Sequence, residues 1–487
     1  MLAFKRILTS LVFVTAVPAL AAAADPAPAT RAYHPDVPGQ SATTLGTATY
    51  AKILCSAIFV SGRQPDEAQK NSAWFLQSEP DQKEPVVVNV DRATKRVRAT
   101  VKGVTRLAAY YGDQGCIIHA EGQDGIFFKP TPVKSALPEA QKTPWPMGDA
   151  PSGKPYPKGL DKAKVDAAVA KAFADPAALT IAVVVLYQGE IVGERYDLGT
   201  TKDTQNESWS MGKSEMATLV GVAMHEGAFK LDDPAPVPDW RRPGDPRGAI
   251  RVRDILNMSS GLAFSHTSTK GYDPAVDYSD HFFVHAGAVD AYKYAVASPV
   301  EFPPQTVGRY RNVDPMSLGF LVRQFAESKG EEWLTWPQRH LFDKIGIRRQ
   351  VMETDPYGNF LMSTFDYGTA RNWARLGQLY LQDGMWNGQR LLPEGYAKFV
   401  STLAPAWPRK EYGGQFWVNG EGRWKALPRE AYYMSGAGGQ STIIVPSHEL
   451  VVVRMGHQRG SSLSGAALNA ALSDLVPLIE AAKKSGG

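Results

Sequence analysis

The placement of the most apolar strand-like runs constrains this chain most. Leu179-Thr180-Ile181-Ala182-Val183-Val184-Val185 and Glu190-Ile191-Val192-Gly193-Glu194-Arg195-Tyr196 flank Gln188-Gly189 and read as a hairpin. The first run is apolar enough to be buried on both faces. Far along the chain, Ser441-Thr442-Ile443-Ile444-Val445 and Leu450-Val451-Val452-Val453-Arg454 read as two more strands about a turn at Pro446-Ser447-His448. Between them, residues 252–256, 314–325 and 369–382 read as helices, and an amphipathic helix over 466–483 closes the chain. The expected fold is α+β: an antiparallel sheet built from both ends of a domain spanning 160–487, flanked by helices, with a mostly helical subdomain. A site is expected between the sheet and the helical part.

Ser210-Met211-Gly212-Lys213 is the one Ser-x-x-Lys in the chain, and it opens an apolar segment. Met216, Leu219, Val220 and Ala223 recur at helical spacing, and Gly227 is a natural stop. Positions i and i+3 share a helix face, which brings the Lys213 amine within reach of the Ser210 hydroxyl. A serine hydroxyl is a weak nucleophile without an adjacent base, and a buried lysine can be that base. The free N–H groups at a helix start suit a developing oxyanion. The plain alternative is an N-cap serine beside a solvated lysine.

Two further stretches fit the same chemistry. Tyr310-Arg311-Asn312 precedes a helix; Tyr310 can relay a proton to a leaving group, and Asn312 can hold Lys213 or a substrate amide. A second Tyr-x-Asn, Tyr357-Gly358-Asn359, is the weaker candidate, because Gly308-Arg309-Tyr310 leads directly into a helix. Ser435-Gly436-Ala437-Gly438-Gly439-Gln440 precedes the Ser441 strand, and small residues there let a substrate lie against the backbone. Gly438, Gly439 and Gln440 are therefore candidate substrate contacts, with the Gln440 N–H as the second oxyanion donor.

Upstream, Lys5-Arg6, an apolar run to Leu20 and four alanines ending at Ala24 read as a signal peptide over 1–24. The mature protein is then expected in the periplasm or secreted. Residues 25–49, rich in Pro, Ala and Thr, read as a flexible leader. Residues 50–125 read as a small accessory unit with strands over 86–90 and 97–101. In an exported chain its two cysteines, Cys55 and Cys116, most simply form a disulfide. Eight prolines between Pro130 and Pro157 mark a linker, or an extended wrap, over 126–159. Without Lys5 and Arg6 the chain carries 51 basic and 49 acidic residues, a formal charge of +2, which argues for no nucleic-acid partner. No second long apolar stretch is evident, so no membrane span is expected. The nine histidines show no metal-ligand spacing, and His281 and His285 fall in a stretch from Phe264 to Tyr294 without helical periodicity. Neither a metal nor a cofactor is called for.

Taken together, these motifs resemble the serine β-lactamase and penicillin-binding-protein superfamily, in particular its class C-like branch of β-lactamases, DD-peptidases, esterases and 6-aminohexanoate-oligomer hydrolases. The resemblance runs from about Leu160 to the C-terminus. Gly227 to Pro234, Ile255 to Leu262 and Gly384 to Leu392 fit it as secondary markers. It implies a β-lactamase/transpeptidase-like fold, with Ser210 acylated, Lys213 the general base, Tyr310 the proton relay and Asn312 a substrate-amide and lysine contact. It implies an exported serine hydrolase acting on a small ester or amide. Alternatives are a β-lactamase or DD-peptidase acting on peptidoglycan peptides, or a catalytically silent binding protein. The family's third motif usually carries Lys or His before a small residue and Gly. Ala437-Gly438-Gly439 supplies no cation there.

Overall fold

A computed structural model describes residues 41–264, 272–273 and 277–486. The expected signal peptide lies outside the described residues. The first element is α1 (Ala42–Phe59), capped by the Ser41 hydroxyl accepting from the Thr44 N–H. It starts inside the segment read as a flexible leader, and Leu45 and Ala48 within it are buried. The Pro-, Ala- and Thr-rich composition predicts coil there, but burial along most of the helix overrides the weak helix propensity of its threonines.

Helix α1 packs across a four-stranded antiparallel sheet of β1 (Val87–Asp91), β2 (Arg96–Val101), β3 (Val104–Tyr110) and β4 (Cys116–Ile118). The Cys55–Cys116 disulfide staples the helix to the last strand. This unit does not stand apart. Lys52 of α1, fully buried, pairs with Glu353 at 2.7 Å. Glu353 Oε1 also accepts from the Ser56 hydroxyl and the Cys116 N–H, each at 2.7 Å. Such a pair survives away from water only because its remaining hydrogen bonds are satisfied.

The Pro-rich segment follows as a strap over the next domain. Its Trp145 is buried under the Arg375 guanidinium, which donates to the carbonyls of Pro146 and Gly148 and pairs with Asp149 at 2.8 Å. After α2 (Lys162–Lys171) come β5 (Thr180–Tyr187) and β6 (Glu190–Tyr196), joined by Gln188 and Gly189, both at positive φ, as a tight right-twisting hairpin requires. Helices α3 (Met211–His225), α4 (Asp280–Ala286), α5 (Val313–Ser328) and α6 (Ala370–Leu381) follow, then β7 (Trp417–Val418), β8 (Tyr432–Gly436), β9 (Gln440–Val445), β10 (Leu450–Gly456) and α7 (Ser461–Gly486).

The main sheet has the order β7-β8-β9-β10-β5-β6 and is antiparallel throughout. Val185 of β5 faces Val452 of β10, so the two ends of the domain share one sheet, as expected. Two-sided burial explains why β5 is buried at every position and apolar from Ile181 to Leu186. Ala182, Val184 and Leu186 face the core shared with α3 and α6, while Val183, Val185 and Tyr187 face α2 and α7. Over one window α7 reaches a mean hydropathy of 1.3, against the reading that no second long apolar stretch exists. Leu468, Leu472, Leu475 and Ile479 of that helix are buried against the sheet.

Candidate functional site

Ser210 stands at the N-cap of α3, but its hydroxyl caps no backbone N–H. It faces Lys213 instead, with Nζ to Oγ at 3.1 Å. The plain N-cap reading is thus set aside by geometry. Trp209, just before it, holds φ +50°, a left-handed conformation that bulky residues adopt only under constraint. Its indole is 2 % exposed and packs edge-on against Phe75 at 4.9 Å. Packing therefore over-determines the bend that presents Ser210. Downstream, Met216, Leu219, Val220 and Ala223 are all buried, and Gly227 ends the helix at φ +89°.

Lys213 is 1 % exposed. Its amine donates to the Ser363 carbonyl at 2.7 Å and lies 4.7 Å from the Tyr310 ring centroid. No carboxylate among the described residues is ion-paired with it. Burial therefore drives its pKa well below 10.5, towards the neutral amine. Burial also pushes the Tyr310 phenol well above its usual range, opposed by a hydrogen bond with Ser210, so the phenol keeps its proton. Of the two Tyr-x-Asn candidates, Tyr310 is at the nucleophile; Tyr357 is exposed and packs at a tilt against Phe127, 4.8 Å between centroids.

Asn312 is placed differently from the expectation. Its amide donates to the His281 carbonyl and lies 3.1 Å from His285 Nε2, so the Ser363 carbonyl, not Asn312, holds Lys213. His281 and His285 lie on helix α4, contrary to the reading of that stretch as aperiodic. The Ser279 hydroxyl caps it by accepting from the His281 N–H. That Ser279 cap was the available signal, and seven residues are too few for a periodic pattern to show. Among the described residues no cluster suits a metal ion.

The glycine-rich turn also needs correction. The glycine packed against the Ser208–Ser210 bend is neither Gly438 nor Gly439. The Gly438 N–H donates to the Ser461 hydroxyl, and the Gly438 and Gly439 carbonyls accept from Arg454. The Gln440 side chain is tied to Gly456 in both directions. The residue that meets the nucleophile is Gly436, at the end of β8. A Cβ there would lie 2.2 Å from the Ser208 carbonyl and 3.1 Å from the Ser210 nitrogen. Three nearby glycines looked alike in sequence, and only this close approach singles one out. Among the described residues neither nearby guanidinium replaces the missing cation: Arg309 pairs with Glu301, and Arg311, fully buried, serves the Leu262 carbonyl and Asp314. Aromatic rings surround Tyr310, with Trp417 at 5.5 Å, His281 at 5.6 Å and Tyr412 at 6.0 Å between centroids.

Residues 165–475 match the protein-family model described as Beta-lactamase. The 6-aminohexanoate-dimer hydrolase of Paenarthrobacter ureafaciens is 24% identical over 299 residues, covering 57% of this chain and 72% of that protein. Among solved structures, one assigned as a 6-aminohexanoate-dimer hydrolase from Bacillus anthracis superposes with a TM-score of 0.54 at 20% identity, covering 67% of this chain and 88% of that one. A second, assigned as a β-lactamase from Bacteroides dorei DSM 17855, gives 0.51 at 17% identity, covering 65% and 99%. The fold is that of β-lactamases and transpeptidases, and the chain belongs to the Beta-lactamase family of serine hydrolases.

Proposed function

We propose that this protein is an exported serine hydrolase that cleaves small uncharged esters or amides through an acyl-enzyme on Ser210. The observation that carries the reading is the Lys213 amine, buried, without a carboxylate partner among the described residues, and 3.1 Å from the Ser210 hydroxyl. The neutral amine takes the Ser210 proton as the oxygen attacks the substrate carbonyl. The Ser210 N–H at the start of α3 supplies a donor for the charge that develops on the carbonyl oxygen. As the tetrahedral intermediate collapses, the bond to the leaving group breaks and the Tyr310 phenol gives that group its proton. The Lys213 ammonium restores the proton to Tyr310. Water then attacks the acyl carbon, passes its proton back through the same pair, and frees Ser210.

The substrate class follows from what surrounds the site. The strand beside Ser210 offers Ser435, Gly436 and Ala437, and the nearby guanidiniums of Arg309 and Arg311 are committed to Glu301 and Asp314. A charge-assisted hydrogen bond contributes about 1.5–3 kcal/mol, or roughly one to two powers of ten in rate. A carboxylate beside the scissile bond forgoes that contribution here. The aromatic rings about Tyr310 favour apolar acyl or leaving groups. The 6-aminohexanoate-dimer hydrolase relative is a precedent for amide cleavage in this family. The disulfide supports an oxidising compartment and hence export. The test sets a chromogenic cephalosporin beside a short-chain p-nitrophenyl ester: turnover of the ester with little or none of the cephalosporin is expected, and the reverse order overturns the substrate reading.

A further inference from the structure

His285 touches neither Ser210 nor Lys213 through its ring nitrogens, yet the ring joins the two chain segments that hold the base. It is 2 % exposed and packs edge-on against Phe365 at 5.4 Å. Its Nε2 lies 2.9 Å from the Thr364 hydroxyl, 3.0 Å from the Ser363 hydroxyl and 3.1 Å from the Asn312 amide nitrogen. Ser363 and Thr364 belong to the loop whose Ser363 carbonyl accepts from Lys213. Asn312 sits two residues beyond Tyr310, over whose ring the same amine lies. One buried imidazole thus fastens the lysine's carbonyl acceptor to the turn that carries the tyrosine. Burial holds the imidazole neutral, so it adds no charge to compete with the amine.

We propose that His285 is a positioning residue for the Ser210–Lys213 pair. A neutral amine has two N–H donors and a single lone pair. Fixing the Ser363 carbonyl fixes where one N–H points, and the lone pair is then turned towards the Ser210 hydroxyl. A ring whose Nε2 lies within hydrogen-bonding reach of both the Ser363–Thr364 loop and Asn312 keeps that carbonyl in register with Tyr310. The inference rests on the acyl-enzyme reading above.

The test compares His285→Leu with His285→Gln in the full chain, measuring kcat and KM on a short-chain p-nitrophenyl ester, the rate of fluorophosphonate labelling and the melting temperature. A glutamine side chain reaches about as far as Nε2 and keeps a hydrogen-bonding amide there; leucine keeps only the volume. The Leu variant is expected to lose about 10²-fold in kcat and in labelling rate with KM unchanged, and the Gln variant to recover most of both. Wild-type kcat in the Leu variant overturns the inference. So does an equal fall in both variants when both melt as the parent does. Should the Leu variant not fold, Thr364→Val, which removes one hydroxyl from the ring, carries the test: a lower kcat at constant KM supports the inference and wild-type kcat overturns it. Ser210→Ala is the control. If that variant keeps activity, the underlying reading fails. If it is inactive while His285→Leu is fully active, only this inference fails.

Discussion

Replacing Gly436 with alanine should displace the nucleophile without altering any reacting side chain. The backbone at Gly436, φ −136° and ψ 162°, suits alanine, so no conformational strain arises at the residue itself. The obstruction is the added Cβ, 2.2 Å from the Ser208 carbonyl oxygen. Real Cβ atoms do not sit under 3.0 Å from such a neighbour, so β8 and the Ser208–Ser210 bend must part by at least 0.8 Å. Neither side yields easily. Ser208 is held from the other direction by its N–H bond to the Asp366 carbonyl, and Trp209 is wedged against Phe75 and Phe365. A misplacement of about 1 Å at a reacting group costs about 10²-fold in rate, or about 2.7 kcal/mol on the barrier. Overpacking at such a contact costs about 1–3 kcal/mol of stability, which leaves a large domain folded. The assay is kcat on a p-nitrophenyl ester together with a thermal melt. A folded Gly436→Ala protein with wild-type kcat would refute the claim that this strand end sets the position of Ser210.

Four other perturbations test different parts of the account. Lys213→Arg should lose about 10²–10⁴-fold in kcat, since guanidinium cannot act as a base; comparable activity would remove Lys213 from proton transfer. Burial lowers the folded-state pKa of Lys213 below 10.5, so the unfolded chain binds the extra proton and stability rises with pH between the folded value and 10.5. The parent's kcat/KM should likewise rise with pH as the folded amine loses its proton, and a rate that falls over that rise would contradict the neutral base. Lys52→Met should destabilise the protein by about 3–5 kcal/mol, because Glu353 is left buried and unpaired; a urea midpoint equal to the parent's would show that the N-terminal unit is not anchored through this pair. Cys55→Ser with Cys116→Ser should cost about 4 kcal/mol in the chain-entropy model for a separation of 61 residues, and two alkylatable thiols in freshly purified non-reduced parent would contradict the bond.

The sheet was legible because β5 and β10 carry apolar residues at successive positions, a pattern that burial on both faces demands. The Ser210–Lys213 pair was legible because helical spacing alone puts the two side chains together. Asn312 was found but its partner was not, since its contact with His285 depends on a helix of seven residues that leaves little periodic trace. Gly436 was passed over for Gly438 and Gly439 because a glycine's reason is a neighbouring backbone, here Ser208 and Ser210, which no local pattern records. The N-terminal unit looked separate for a similar reason. Lys52 and Glu353 lie 301 positions apart, and neither residue announces that it will be buried opposite the other.

Intact-protein mass spectrometry after fluorophosphonate treatment, followed by peptide mapping, tests the assignment of the nucleophile most directly. The account predicts a single adduct on the peptide containing Ser210, absent from Ser210→Ala and formed more slowly in Lys213→Arg. No adduct on a folded parent protein, or an adduct mapped to another serine, would contradict it.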